Sequence, residues 1–175
     1  MGFIEMAHER YSVRKFDPKP LESEKLDAIL EVGRVSPTAS NRQPQRILVL
    51  QTGTDDEMLD KLYTATDCNF HAPVVMLVCY DTAASRKWTT GVDKGEIDIT
   101  IVTTQMMYAA WELGIGSVMV GAFDRAKLAE ALSLPEGYVP ALQLHLGYPK
   151  ETSHPGPLHA QRLPLESTVF MGKYL

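Results

Sequence analysis

The sequence predicts an α+β fold (α and β elements mixed on one sheet): a central sheet flanked by helices, with a long buried central helix and an extended C-terminal tail. Three observations lead there. Segments with helical and strand character interleave along the chain instead of falling into separate blocks. The stretch "EIDITIVTTQMMYAAWEL", from Glu96 to Leu113, is apolar nearly all round, the pattern of a helix sunk in a core. After Pro149 the chain carries Pro155, Pro157 and Pro164, which favours an extended tail.

Taken in order, Phe3, Met6 and Ala7 fall at helical spacing, so a short helix opens the chain. "RYSVRKF", residues 10 to 16, reads as extended. In a strand, Arg10, Ser12 and Arg14 share one face while Tyr11 and Val13 line the other. At about 3.3 Å per residue the two arginines lie roughly 13 Å apart, too far to grip one small anion but suited to a long ligand. "DPKPL" breaks regular structure, and "ESEKLDAILEVGR" predicts a helix with Leu26, Ile29 and Leu30 inward. A polar loop, "VSPTASNRQPQ", leads into the strand "RILVLQ". The helix "DEMLDKLYTAT" and the buried strand "APVVMLVCYD" follow. Beyond the central helix, Gly114 serves as a stop. "IGSVMVGAF" predicts a strand, "DRAKLAEAL" a helix capped by Asp124, and "YVPALQLHLGYP" a last core strand.

Bulk properties narrow the function classes. A chain of 175 residues fits one domain, 1–175, and can bury a full core. A net charge of -5 argues against broad nucleic-acid binding while leaving room for a local cationic pocket. Cys68 and Cys79 fit no zinc or redox spacing, and read as free thiols of a reducing compartment. "MGFIEMAHER" has no signal-peptide pattern, and the apolar runs are broken before membrane-spanning length, so the expectation is a cytoplasmic protein.

No carboxylate pair stands out for acid–base work. The five histidines form no metal motif, and His154 and His159 read as surface residues of the tail. A nucleophile elbow, a phosphate-binding P-loop and a G-x-G-x-x-G turn are all missing from the sequence. If the protein is an enzyme, a cofactor carries its chemistry. Four segments suit cofactor binding: Arg10, Ser12 and Arg14 on one face; the hydroxyls and amides of "SPTASNRQPQ"; the close-approach "MVGAF" at a strand end; and Arg162 in the tail.

Those segments, in that order, resemble the FMN-dependent nitroreductase family over essentially the whole chain. The resemblance rests on "RYSVRKFDPKPL", "SPTASNRQPQRILVL", "AAWELGIGSVMVGAFD" and "LHLGYP". It implies FMN held between the subunits of a homodimer. Arg10 and Ser12 would meet the phosphate and ribityl end, Arg14 the N1 and C2-carbonyl edge of the ring, and Arg162 the phosphate. Pro37, Thr38, Ala39 and Asn41 would come from the other subunit, with Asn41 on the flavin's polar edge. Gln43 either holds that loop or touches the cofactor. Met119, Val120, Gly121 and Ala122 would set main-chain groups against the ring, the Gly121 N–H near N5 and O4.

The implied reaction is ping-pong: NADH or NADPH delivers hydride to the flavin, then a nitroaromatic, quinone or similar small acceptor takes it. No side chain need be an obligate acid or base. Asn69 is a further ribityl or ring contact in the resemblance, and Trp88 the stacking residue of a short lid or else a core plug. Asp98 and Gln105 on the central helix either satisfy buried backbone or meet a partner subunit. Gln45 and Met119 stand where the family often has aromatics, which affects substrate range. Two alternatives stay open: a same-fold flavin enzyme with other chemistry (dehalogenation or flavin breakdown), and a non-catalytic flavin carrier or sensor.

Overall fold

A computed structural model describes residues 2–87 and 94–174. Four strands form an antiparallel sheet in the order β1-β2-β4-β3: β1 (Gln45–Gln51), β2 (Val74–Asp81), β3 (Gly116–Val120) and β4 (Tyr138–Gly147). Strand β2, the buried apolar run of the sequence, lies between β1 and β4. The register between β2 and β4 slips beside Val78 and Cys79, opposite Leu142 and Pro140. Such a bulge accommodates a residue that has no N–H for the ladder.

Helices cover both faces. Alternation along β2 sends Val74, Met76, Val78 and Tyr80 into one core with Leu26 and Ile29 of α2 (Ser23–Val35). Ile99, Val102 and Met106 of α4 (Gly95–Glu112) join that core. The opposite face sends Val75, Leu77 and Cys79 against Leu59 and Leu62 of α3 (Asp56–Tyr63) and Leu128 of α5 (Arg125–Ala131). Asp124 caps α5, accepting from the Lys127 N–H at 3.0 Å. The chain leaves α4 through Gly114 at φ +75°, where a side chain would be strained.

Three expectations need correction. Residues 10–16 are not a strand. Ser12 makes one isolated parallel bridge to Ser117 of β3, and Phe16 one antiparallel bridge to Pro149. The segment bridges the start of β3 at Ser12 and the residues after β4 at Phe16, without a continuous ladder. The facing holds in part: Val13 is fully buried and Arg14 exposed, but Tyr11 lines the same hollow as Arg10, Ser12 and Arg14.

The central helix is not wholly buried either. Its inner face is in the core, but Ile97 is 54% exposed and Ile101, Thr104, Gln105 and Tyr108 are half-buried. Together with exposed Phe3 and Ile4 of α1 (Phe3–Glu9) and Val35 of α2, they leave apolar side chains in water. Finally, the tail is mostly exposed yet partly docked. The Tyr11 hydroxyl donates to Ser153 Oγ at 3.2 Å, and the His159 ring stands edge-on to Tyr11.

Candidate functional site

Gly116 is why the opening motif can sit where it does. A Cβ there would lie 2.6 Å from Val13 Cγ2 and 3.0 Å from Pro149 Cγ, so only glycine lets the segment press onto β3. The Val13 N–H donates to the Ser117 carbonyl at 2.9 Å in the same contact. Tyr11 then packs edge-on against Trp111 of α4, and the Arg10 guanidinium lies 5.9 Å from the centre of the Tyr108 ring.

The consequence is a cavity of about 380 Å³ lined by Arg10, Ser12 and Arg14 from one end of the chain and Gly156 to His159 and Arg162 from the other. Among the described residues, three guanidinium groups and no carboxylate face it. Arg10 Nε is buried without an acceptor, while Arg14 Nη1 reaches only the Ser12 carbonyl at 3.3 Å. Arg162 Nη1 bonds the tail's own Gln161 carbonyl at 2.7 Å. Buried, unsatisfied N–H groups carry a desolvation cost that an anion would relieve, and guanidinium forks match phosphate oxygens. The donor set therefore fits the phosphate end of FMN. By sequence, His159 reads as a surface residue of the tail and Tyr11 as lying on the face opposite the arginines; both line this cavity, because the tail returns over Tyr11, which no local pattern reports.

The second predicted segment is separate. Residues 37–41 line none of this cavity. Their loop is fixed by Asp98, a 2%-exposed residue in the first turn of α4, whose Oδ1 accepts from the Ala39 N–H at 2.8 Å. Its other oxygen is buried and unpartnered. From Asp98 to Tyr108, beside Arg10, is about 15 Å along the helix at 1.5 Å per residue. Ser40, Asn41 and Gln43 all adopt φ near +50°, a conformation that non-glycine residues keep only when their surroundings enforce it. Those surroundings are Asp98, Thr38 Oγ1 accepting from the Gln43 N–H at 3.0 Å, and an Arg86–Ser40 hydrogen bond. Gln43 Nε2 donates to the Asn41 carbonyl at 3.3 Å, which is the loop-holding role.

The third segment ends β3. Met119 is half-buried, Val120 buried, and Gly121 and Ala122 exposed. A Cβ on Gly121 would meet only Leu142, at an ordinary 3.7 Å, so the surface above it is open. Thr66 Oγ1 donates to the Ala122 carbonyl at 3.1 Å, holding that end against the loop before β2. Asn69 lies on the same loop, and its Oδ1 accepts from the His71 N–H at 2.9 Å, a local turn. Trp88 lies outside the described residues. No group of three or more metal-ligating side chains occurs among the described residues, and none of their helices is long and apolar enough to cross a membrane.

Comparison with known proteins agrees with this architecture. The nitroreductase family model matches residues 7–70 and 67–148. A crystal structure of a nitroreductase family protein from Clostridium difficile 630 superposes with a TM-score of 0.91 and 36% identity, covering 99% of this chain and 100% of that one. Among curated proteins, the FMN reductase [NAD(P)H] of Bacillus subtilis is 27% identical over 188 residues, 98% of this chain and 74% of its own. A protein of Archaeoglobus fulgidus, named for NADH dehydrogenase/NAD(P)H nitroreductase activity, is 31% identical over 155 residues, 85% of this chain and 86% of its own. The chain is an α+β protein of the nitroreductase fold, and it belongs to the nitroreductase family.

Proposed function

We propose that the protein is an FMN-dependent oxidoreductase that takes reducing equivalents from NADH or NADPH and passes them to nitroaromatics, quinones or similar small acceptors. It would act in the cytoplasm as a homodimer of single-domain chains. The observation that carries this reading is the convergence of Arg10, Ser12, Arg14 and Arg162 on one cavity, with Arg10 Nε buried and unpartnered. The naming of the Bacillus subtilis relative for FMN and NAD(P)H supports the same cofactors.

FMN bound here would supply the two-electron redox chemistry. The chain's own residues bind and tune. Arg10 and Arg162 hold the phosphate through charge-assisted hydrogen bonds, with Ser12 on the ribityl chain. Arg14 would bring a fixed cation to the N1 and C2 edge and so favour the reduced state of the ring. Met119 to Ala122 give a flat backbone platform, with the Gly121 N–H donating to the ring.

The loop Pro37, Thr38, Ala39 and Asn41 serves a neighbouring site. It lies along α4 from its own chain's cavity, and the apolar strip of Phe3, Ile4, Val35 and Ile97 is the kind of surface a second copy covers. Asp98 acts as the brace that keeps this loop in its strained form.

The test is a visible spectrum of the purified protein, chromatography of the released chromophore, and addition of NADH and NADPH under nitrogen. Released FMN and bleaching on addition are expected. A colourless protein that also refuses added FMN would end the proposal.

A further inference from the structure

A second cationic hollow lies outside the Arg10–Arg162 site. Arg42, Thr82, Ala83, Ser85, Arg86 and Lys87 line a cavity of about 550 Å³. It adjoins the Asn41 loop at two points: Arg42 follows Asn41 directly, and Arg86 donates to Ser40 Oγ. Arg42 and Lys87 are exposed and form no ion pair among the described residues. Asp81, just before this cavity's lining in the chain, does not neutralise them. Its Oδ2 pairs with Arg46 at 2.9 Å, and its Oδ1 accepts from the Ala83 N–H at 2.8 Å.

Three cations around one hollow repel one another, and in a chain of net charge -5 they are not the overflow of a basic surface. Their common use is to receive a multiply charged anion. Two guanidinium forks and an ammonium suit the oxygens of a terminal phosphate, on which three side chains can converge. A pyrophosphate linkage, running on at both ends, leaves less room for that convergence. The position is informative as well. In the proposed function Asn41 touches the flavin's polar edge, so a reductant stacked on the flavin extends past this loop to reach solvent.

Resting on that reading, we propose that the Arg42–Arg86–Lys87 cavity receives the 2′-phosphate of NADPH and makes NADPH the preferred reductant over NADH. The Arg86–Ser40 hydrogen bond ties this anion site to the strained flavin loop. Phosphate binding would therefore be felt by the backbone that presents Asn41.

The probe is adenosine 2′,5′-bisphosphate, titrated calorimetrically into the FMN-loaded protein beside 5′-AMP and inorganic phosphate. The bisphosphate should bind at least tenfold more tightly than either. Lys87→Ala and Arg42→Ala should each weaken it about tenfold, the loss of one charge-assisted contact. Each should also lower the ratio of kcat/KM for NADPH to that for NADH by a similar factor, acting through KM, and added salt should lower the ratio in the parent protein. Flavin content and the flavin's visible circular dichroism report that each variant remains folded. Equal use of NADH and NADPH by flavin-loaded protein would overturn this inference alone, as would inorganic phosphate competing as well as the bisphosphate. Failure to bind flavin at all would sink the proposed function and this inference together.

Discussion

Replacing Gly116 with Ala probes the contact on which the cavity depends. The new methyl carbon would sit 2.6 Å from Val13 Cγ2, 3.0 Å from Val13 Cβ and 3.0 Å from Pro149 Cγ. Carbon atoms rest about 3.5–4.0 Å apart, so the opening segment must retreat by on the order of 1 Å. Gly116 has no left-handed backbone, and alanine in a strand is otherwise favoured by roughly 0.5–1 kcal/mol. Overpacking costs about 1–3 kcal/mol, which leaves a net loss of about 0–2.5 kcal/mol, centred on about 1 kcal/mol. For a chain of this size that central loss lowers Tm by roughly 2–4 °C. The same retreat pulls Ser12 from its bridge to Ser117 and spreads the arginines lining the cavity. Melting curves with and without added FMN therefore separate two effects: a lower baseline Tm, and a smaller upward shift on FMN addition. A variant as stable as its parent, with the full FMN shift, would refute the claim that glycine seats the motif.

Arg14→Ala should weaken FMN binding and lower the potential of the bound flavin by about 30–60 mV, the two-electron equivalent of a lost charge-assisted contact of about 1.5–3 kcal/mol. Spectroelectrochemistry reads this directly, and an unchanged potential contradicts the ring contact. His145 is fully buried between Tyr63 and Phe70, and burial holds its pKa at about 4, below the ordinary 6.5. The unfolded chain thus binds the proton first as pH falls. The stability from the neutral imidazole is complete above pH 6.5 and lost progressively towards pH 4, about 3 kcal/mol in all. Urea midpoints should follow that window, and His145→Gln should flatten it. Cys79 is buried with its thiol pushed up to about 12 by desolvation, whereas Cys68 is half-buried. One thiol should react promptly with an aromatic disulfide and the other only as fast as the protein opens; two prompt thiols would refute the burial argument.

Legibility in the sequence followed the range of the interactions. Helix α4 was visible to within a residue at each end, because its limits are local: the apolar run and the left-handed turn at Gly114. Asp124 announced α5 for the same reason. That α4's outer face is only partly buried was not visible, since its apolar side chains are the same kind that fill a core. The opening motif misled: an inward Val13 beside an outward Arg14 also occurs in a segment with two isolated bridges, so it cannot certify a strand. The segments predicted to bind a cofactor separated into a cavity, a braced loop and a strand end. Residues 142 apart, as Tyr11 and Ser153 are, leave no periodic trace of their contact. The Arg42–Arg86–Lys87 hollow escaped notice for that reason as well.

The bridge between Ser12 and Ser117, with the docking of Tyr11 on Ser153, has a consequence for biosynthesis. While the chain is being translated, the segment from Arg10 to Arg14 leaves the ribosome early as a loose cationic thread with nothing to lie on. Its seat on β3 is made only after β3 has emerged and been flanked by β4, and the opposite wall of the cavity is completed later still, by Arg162. Domains assemble as their non-local pairings become available. Closure of this pocket is accordingly among the last events of maturation, and a chain released before Arg162 would display the arginine motif without ever completing the cavity.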